Sequence, residues 1–477
     1  MKKSWAFISL FLLTLVPVFA DYTKSGIPDS TEIRKGLVQT WFNAPVQDVR
    51  AKEPELYKDG IGNEFQVRAE EADGELAIIV APKTVINFNY SNGTAGSDYV
   101  QQTARYSKNT PGSWILYRNS KTGKPLRVRL YFNNDSDVFV EFRENSPKLY
   151  ADMVVCNAYV ARSMPVGFAL KKLYTTSFDS LVKMTVRSLP WGQVSVVPGQ
   201  YHSVLQMANL IRGYLKKMYY QEDACYNENE ELYSIENNEP FKANTNDAAK
   251  NASIDAAVAS AVNKGMLVMS GPGFLKWITD GIVKTTMGKN TRIEDLVAPT
   301  VNYNSLGKNG VIAQNWNLSF TLDWCRNLAV EALNARSSKR RYTYTMGAKD
   351  VTGVDVRISP FVADVVDGNL LQSTGYSIDT GYALRELKGL LYILAATETR
   401  HFYFAAIKQH SADKPENSAF TNCAVLFPFF DAKGKFDCVV YEMGKEFTLS
   451  EFIKNHEDSF VHLERVEATD YFSPMIK

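Results

Sequence analysis

The sequence is poor in the residues from which metal and nucleophile centres are most often built. It contains five cysteines and five histidines in 477 residues, and the histidines never occur at metal-ligand spacing. No Cys-x-x-Cys and no His-Glu-x-x-His motif is present, so a zinc site is not expected. An odd and sparse set of cysteines also argues against a disulfide framework. We therefore predict neither a metal nor a cofactor.

An excess of charge of one sign is lacking as well. Lys and Arg number 53 against 52 Asp and Glu, which leaves a formal net charge of +1. A chain without a global electrostatic field is not expected to bind nucleic acid. Beyond residue 20, no uninterrupted apolar run approaches the length of about twenty residues that spans a bilayer. The sequence therefore predicts no transmembrane segment after signal cleavage.

The first twenty residues are typical of a secretory signal peptide. Lys2 and Lys3 precede an apolar stretch at residues 7–19, and Val18-Phe19-Ala20 forms a small-x-small cleavage motif. The following residue is Asp21 and not cysteine, which argues against a lipoprotein anchor. We expect the mature chain to be periplasmic or secreted.

Hydrophobic periodicity predicts an α+β fold. Apolar or alternating runs indicate strands at residues 75–81, 113–118, 125–132 and 138–143. Residues 21–164 are therefore interpreted as a β-rich N-terminal domain. The second predicted domain, residues 165–477, contains these further segments: helices at 170–189, 201–220, 253–262, 317–333 and 381–396, and strands at 401–407, 422–430 and 436–442. Within it, residues 222–251 are polar and are interpreted as an exposed insertion or linker.

One short stretch, residues 265–280, stands out from the rest. A brief apolar run at residues 267–269 ends in Ser270-Gly271-Pro272-Gly273, and apolar residues then return at helical spacing. Ser270 or Gly271 suits a helix N-cap, and Pro272 suits the first helical turn. Free amides and the helix dipole favour negative charge at such a turn, so many enzymes hold a nucleophile there. An ordinary capped helix on a core is the alternative interpretation.

The same stretch resembles the nucleophile motif of NlpC/P60-type papain-like cysteine peptidases, Asp-Cys-Ser-Gly followed by aromatic and aliphatic residues at a helix start. In this register Gly271 occupies the place of the cysteine and Pro272 that of the serine. The predicted strand at residues 422–430 is similar in place to the strand that carries the family's histidine, and it puts Asn422 there. The resemblance implies a degenerate papain-like domain with a cleft formed by Ser270, Gly271, Pro272, Gly273 and Asn422.

The resulting prediction is an exported bacterial envelope protein that binds peptidoglycan, another envelope ligand or a partner protein without hydrolysing it. An active cysteine hydrolase is the alternative, with Cys325 as nucleophile and His401, at a strand start, as base. A buried structural thiol is the competing interpretation of Cys325. A third hypothesis is an unrelated structural or carbohydrate-binding envelope protein, with which the aromatic-rich composition is compatible.

Three further groups of residues are left open. Arg127 and Arg129 alternate along a predicted strand and suit either an anionic ligand or a solvated sheet face. Cys423 and Cys438 flank a predicted hairpin and suit either one disulfide or two buried thiols. The carboxylates that could pair for glycoside chemistry are Asp280, Asp323 and Asp437.

Overall fold

A computed structural model describes most of the chain. The described residues are 27–90, 99–135, 137–145, 148–301, 319–337, 341–344, 351, 353–362, 373–409 and 419–476. The predicted signal peptide, residues 1–20, lies outside them. In the part that is described, no helix has the length and apolar character needed to cross a bilayer.

The N-terminal region is dominated by one antiparallel sheet of eight strands, in the spatial order β1-β2-β3-β6-β7-β8-β9-β10. A separate hairpin, β4–β5, leaves the sheet between β3 and β6. The strand bounds are β1 Glu55–Lys58, β2 Glu64–Ala72, β3 Glu75–Pro82, β4 Thr84–Tyr90, β5 Tyr99–Arg105, β6 Trp114–Asn119, β7 Pro125–Tyr131, β8 Val138–Asn145, β9 Lys148–Val155 and β10 Ala158–Val166.

The C-terminal region contains a six-stranded antiparallel sheet in the order β15-β20-β16-β17-β18-β19, and two small strand pairs precede it in the chain. One pair, β11 with β14, is parallel, and the other, β12 with β13, is antiparallel. The strand bounds are β11 Met218–Tyr220, β12 Ala224–Tyr226, β13 Leu232–Ser234, β14 Leu267–Met269, β15 Tyr382–Ala383, β16 His401–Gln409, β17 Ala419–Phe430, β18 Phe436–Glu442, β19 Lys445–Thr448 and β20 Phe460–Glu467.

Helices cover both sheets. Their bounds are α1 Thr31–Leu37, α2 Val46–Arg50, α3 Phe178–Thr185, α4 His202–Tyr214, α5 Ala248–Asn263, α6 Gly271–Met287, α7 Ile293–Leu296, α8 Phe320–Arg336, α9 Leu387–Thr397 and α10 Leu449–Asn455. Short 3₁₀ or π turns adjoin several of them, and that of residues 384–386 leads directly into α9.

The six-stranded sheet separates two hydrophobic cores, because successive side chains of a strand point to opposite faces. On β16, Tyr403, Ala405 and Ile407 join the core shared with the N-terminal sheet and α9. Phe402 and Phe404 join the other core, which α4, α6 and α8 cover. Neighbouring apolar positions on these strands therefore lie in different cores, and this decides which candidate site residues can meet.

The α+β fold predicted from periodicity is confirmed, with local corrections. Residues 201–220 are not one helix, since α4 ends at Tyr214 and residues 218–220 form β11, which pairs with β14. The segment 222–251, interpreted as an exposed insertion or linker, holds hairpin β12–β13 and the start of α5. Residues 382–383 form strand β15 before the helix that was predicted from 381.

Candidate functional site

A cleft of about 600 Å³ opens where the parallel pair β11–β14 ends and α6 begins. Tyr220, the last residue of β11, lines the cleft together with residues 221–223, and Ser270 and Pro272 line it after the end of β14. Carboxyl ends of parallel strands and helix N-termini are frequent ligand sites, because loops and unpaired amides converge there. The cleft is held in place by Trp324 of α8, whose indole Nε1–H donates to the carbonyl of Pro272 at 2.9 Å.

The first turn of α6 offers little chemistry of its own. Ser270 is the N-cap, as the sequence predicts, and its Oγ accepts a hydrogen bond from the Gly273 amide at 3.1 Å. The same hydroxyl donates to the carbonyl of Ala224 at 3.0 Å. Pro272 has no amide proton. Ser270 is therefore engaged as donor and acceptor, and no general base contacts it among the residues the structure describes.

The two glycines of the turn have different physical roles. A Cβ on Gly273 would lie 2.3 Å from the carbonyl oxygen of Ala224, so only glycine allows α6 to approach β12 this closely. A Cβ on Gly271 would lie 3.5 Å from Cys423 Sγ, an ordinary contact distance. Space therefore does not require glycine at position 271, the place of the nucleophile in the resembled family.

Asn422 does not share the cleft with this turn. It pairs in register with Ile407, whose side chain lies in the core on the far side of the sheet. Because side chains alternate along β17, Thr421 lies on the same face as Cys423 and lines the cleft, while Cys423 lies in the core beneath α6. The predicted grouping of Ser270, Gly271, Pro272 and Gly273 with Asn422 is corrected accordingly: β17 contributes Thr421.

The walls of the cleft carry aromatic rings and charges of both signs. Tyr220, which is 48% exposed, lines the cleft together with the half-buried Phe241 and Phe320. Four charged side chains line the cleft and, within the described part of the chain, make no ion pair or hydrogen bond: Glu222, Glu236, Lys242 and Lys250. Unpaired carboxylates and ammonium groups side by side suit a ligand that itself carries both charges.

Cys325 and His401 lie on opposite sides of the six-stranded sheet. Cys325 is fully buried in the core that contains Phe402 and Phe404. Because residues alternate along β16, His401 lies on the face of Tyr403, where Glu398 and Arg465 are among the charges that act on it. The alternative of a Cys325–His401 catalytic pair is therefore not assembled in this fold.

Cys325 has the properties of a structural thiol. Burial raises the pKa of the Cys325 thiol well above its ordinary value, and the nearby Glu464 and Cys423 raise it further. Burial likewise raises the thiol pKa of Cys225 to about 12. A thiolate, which is the reactive form, is thus disfavoured at these positions.

We expect thiol labelling of the native protein to begin at Cys156, the one partly exposed cysteine of the five, which all carry free thiols. The other four are at most 3% exposed and should react only after unfolding. Maleimide labelling at pH 7–9, with and without denaturant, followed by peptide mass spectrometry, measures the order. Rapid labelling of Cys325 below its ordinary thiol pKa of about 8.5 would contradict the structural assignment.

The possible Cys423–Cys438 disulfide does not form. Cys423 lies in the core under α6 and Cys438 in the core on the other face of the sheet. Cys438 is also paired in register with Pro428, five positions along β17 from Cys423. Two buried thiols are the observed outcome.

A second polar cluster is buried between α8 and β20. Arg326 on α8 binds Asp355 through Nη2 at 2.9 Å and Nε at 3.2 Å, and Asp379 at 2.8 Å. His462 Nε2 lies 3.0 Å from the Tyr376 hydroxyl. On the other side of its ring, His462 Nδ1 lies 2.6 Å from Glu464 Oε1, and both residues are fully buried.

Within the described residues, this cluster offers the one group of side chains whose spacing could hold a metal ion. The ligand atoms of Asp355, His462 and Glu464 all lie within 4.8 Å of one another. However, Asp355 already accepts bonds from Arg326, Tyr344 and Arg357. The Arg326 guanidinium also lies 3.4 Å from His462 Nε2. A divalent cation would have to displace this positive charge, so the donor set fits an ion-pair network better than a metal.

Burial shifts the protonation of this cluster strongly. Burial and the nearby Arg326 lower the pKa of His462 to about 3. Burial and the charge of Asp355 raise the pKa of Glu464 well above its usual range. The pKa of Asp355 is held below its usual range by Arg326 and His462, against the opposing effect of burial. At neutral pH, His462 is therefore uncharged, burial favours the protonated form of Glu464, and Asp355 pairs with Arg326.

The remaining candidates are occupied by structural contacts. Arg127 and Arg129 share Glu141, and Arg127 also pairs with Glu75, so the sheet face carries its own counter-charges. Asp280 binds Lys276 at 2.6 Å and accepts from Thr291. Asp323 accepts from Thr300 and Ser319. Asp437, the third carboxylate considered for glycoside chemistry, is exposed on β18, and its Oδ1 accepts a hydrogen bond from the Cys438 amide at 2.8 Å.

Comparison with known proteins gives one match. Residues 23–193 match a family model described as Domain of unknown function (DUF8515). This range contains the whole eight-stranded sheet and ends before β11, so it leaves out the cleft. The comparisons with curated proteins and with solved structures returned no match.

Proposed function

We propose that this protein is exported and acts as a non-catalytic binding module for a peptide-type ligand of the bacterial cell envelope, such as the peptide portion of peptidoglycan. The observation that carries the proposal is the cleft at the start of α6. It combines Tyr220 and Phe241 with unpaired charges of both signs, and neither a thiol nor an imidazole is among the described residues that line it.

The size and chemistry of the cleft support binding. Its volume of about 600 Å³ lies within the range of small-ligand sites, roughly 300–1,000 Å³. A short peptide presents ammonium and carboxylate groups to Glu222, Glu236, Lys242 and Lys250, while an aliphatic side chain packs against the aromatic rings. Ser270 is held by two hydrogen bonds, which favours binding over nucleophilic attack.

Replacing Tyr220 with alanine is expected to weaken binding to isolated cell-wall sacculi about twofold to twelvefold. Loss of an aromatic contact of about 0.5–1.5 kcal/mol gives this range. Co-sedimentation of the mature protein with increasing amounts of sacculi measures the change. Tyr471→Ala is the matched control, because Tyr471 is 80% exposed and lies outside the cleft lining, and it should bind as the parent protein does.

The nature of the ligand is tested with the same assay on glycan strands stripped of their peptides. Retained binding to stripped glycan would contradict a peptide-type ligand and favour the carbohydrate-binding alternative. Equal loss of binding in Tyr220→Ala and Tyr471→Ala, or no binding to intact sacculi, would contradict the assignment of the cleft.

A further inference from the structure

A second cavity of about 660 Å³ adjoins the cleft, between α5 and hairpin β12–β13. Phe241 and Lys242 line both cavities, so the two spaces meet at these side chains. A ligand longer than the cleft would therefore reach the second cavity at Phe241 and Lys242.

The second cavity differs from the cleft in its chemistry. Leu232, Val258 and Val262 form an aliphatic part of its wall. Its charged lining consists of three carboxylates, those of Glu230, Glu231 and Asp255, and one ammonium, that of Lys242. The local balance is therefore two negative charges, counted as three carboxylates less one lysine. An aliphatic wall with an acidic rim is complementary to an alkyl chain that ends in a positive charge.

The carboxylates keep acceptor capacity for such a group. Asp255 Oδ1 accepts from the Ala243 amide at 2.8 Å, and Glu231 Oε2 accepts from Asn227 at 2.9 Å. Glu230 pairs with Lys284 through Oε1. A carboxylate has about four lone-pair sites on its two oxygens, so these bonds leave room for an ammonium donor.

We propose that the cavity between α5 and hairpin β12–β13 is a subsite for a lysine-type side chain of an extended peptide whose remaining part lies in the cleft. The assignment rests on the proposed peptide-binding function and adds the side-chain chemistry of the ligand. The methylene groups lie against Leu232, Val258 and Val262, and the ammonium lies at the rim near Glu231 and Asp255.

The test uses two tetrapeptides with free termini, Ala-Glu-Lys-Ala and its analogue with norleucine in place of lysine, titrated calorimetrically into the mature protein. The peptides differ only in the ammonium group, and we expect the lysine peptide to bind about tenfold more tightly. In Ala259→Arg, an exposed lining position of α5 receives a positive charge, and the tenfold preference should disappear. In Ser260→Arg, the adjacent exposed position outside the lining, the preference should remain.

Each other outcome has a distinct meaning. If the parent protein binds both peptides equally well, the subsite assignment is wrong although the peptide-binding function stands. If Ser260→Arg loses the preference as fully as Ala259→Arg, long-range charge and not the cavity accounts for it, and the assignment again fails. If neither peptide binds and sacculi do not bind either, the proposed function itself is overturned, and the subsite with it.

Discussion

Replacing Arg326 with methionine is expected to lower the free energy of unfolding by about 3–5 kcal/mol, the usual cost of removing one partner from a buried ion pair. The side chains of Arg326 and Asp355 are 2% and 3% exposed, so water cannot replace the lost guanidinium. Asp379 loses its contact at 2.8 Å in the same change. Methionine keeps most of the volume, which limits any contribution from a cavity.

Arg357→Met is the matched control. Arg357 contacts the same Asp355 oxygen at 2.7 Å, but its side chain is 48% exposed, so we expect a cost of no more than about 1 kcal/mol. Denaturant unfolding at pH 7, followed by tryptophan fluorescence, measures both changes. A cost for Arg326→Met within about 1 kcal/mol of that for Arg357→Met would contradict a tightly desolvated network.

The second large effect concerns pH. With the pKa of His462 lowered to about 3 and that of Glu464 raised well above its usual range, the folded protein keeps a proton on Glu464 at pH values where the unfolded chain has already lost it. The unfolded chain holds two protons on these residues below a pH of about 4.3, one between about 4.3 and 6.5, and none above. The depressed pKa of His462 therefore makes stability rise with pH from about 3 to 6.5. The raised pKa of Glu464 makes stability fall as pH rises above about 4.3.

Between pH values of about 4.3 and 6.5, the effects of His462 and Glu464 on the pH dependence of stability cancel. Above this range only Glu464 acts, and the free energy of unfolding falls because its proton must be retained on folding. Glu464→Gln removes this cost. We expect the variant to gain stability relative to the parent protein as pH rises above about 4.3, by at most about 1.4 kcal/mol per pH unit, for as long as Glu464 stays protonated in the folded state. The difference between the two unfolding free energies is measured by denaturant titration at half-unit intervals of pH.

Glu467→Gln provides the control for this slope. Glu467 is the last residue of the same strand, β20, and its side chain, which is 35% exposed, forms an ion pair with Arg336. We expect a change of less than about 1 kcal/mol from the loss of this ion pair. A Glu464→Gln difference that stays constant from pH 5 to 8 would show that Glu464 ionises in the folded state, contrary to its raised pKa.

Helix α6 was predictable from the sequence because the residues that signal its start lie close together in the chain. Ser270 caps α6, Pro272 lies in its first turn, and the apolar residues after Gly273 pack in one core. The cleft was missed because its charged residues and Phe241 lie in the segment interpreted as a linker, while Tyr220 and Phe320 lie in segments predicted as helices. Tyr219-Tyr220 directly before Gln221-Glu222-Asp223 was the available signal: aromatic β-formers ending at polar residues indicate a strand end.

The sequence by itself determined the α+β class, the alternating strands of the N-terminal sheet and the capped start of α6. These depend on periodicity and on side chains a few residues apart. Only the tertiary structure decided that Asn422 faces away from the cleft, that a sheet separates Cys325 from His401, and that Arg326 meets His462 from 136 residues away. The physical reason is strand register: a shift of one residue moves a side chain to the opposite face, and register is set by pairing between distant segments.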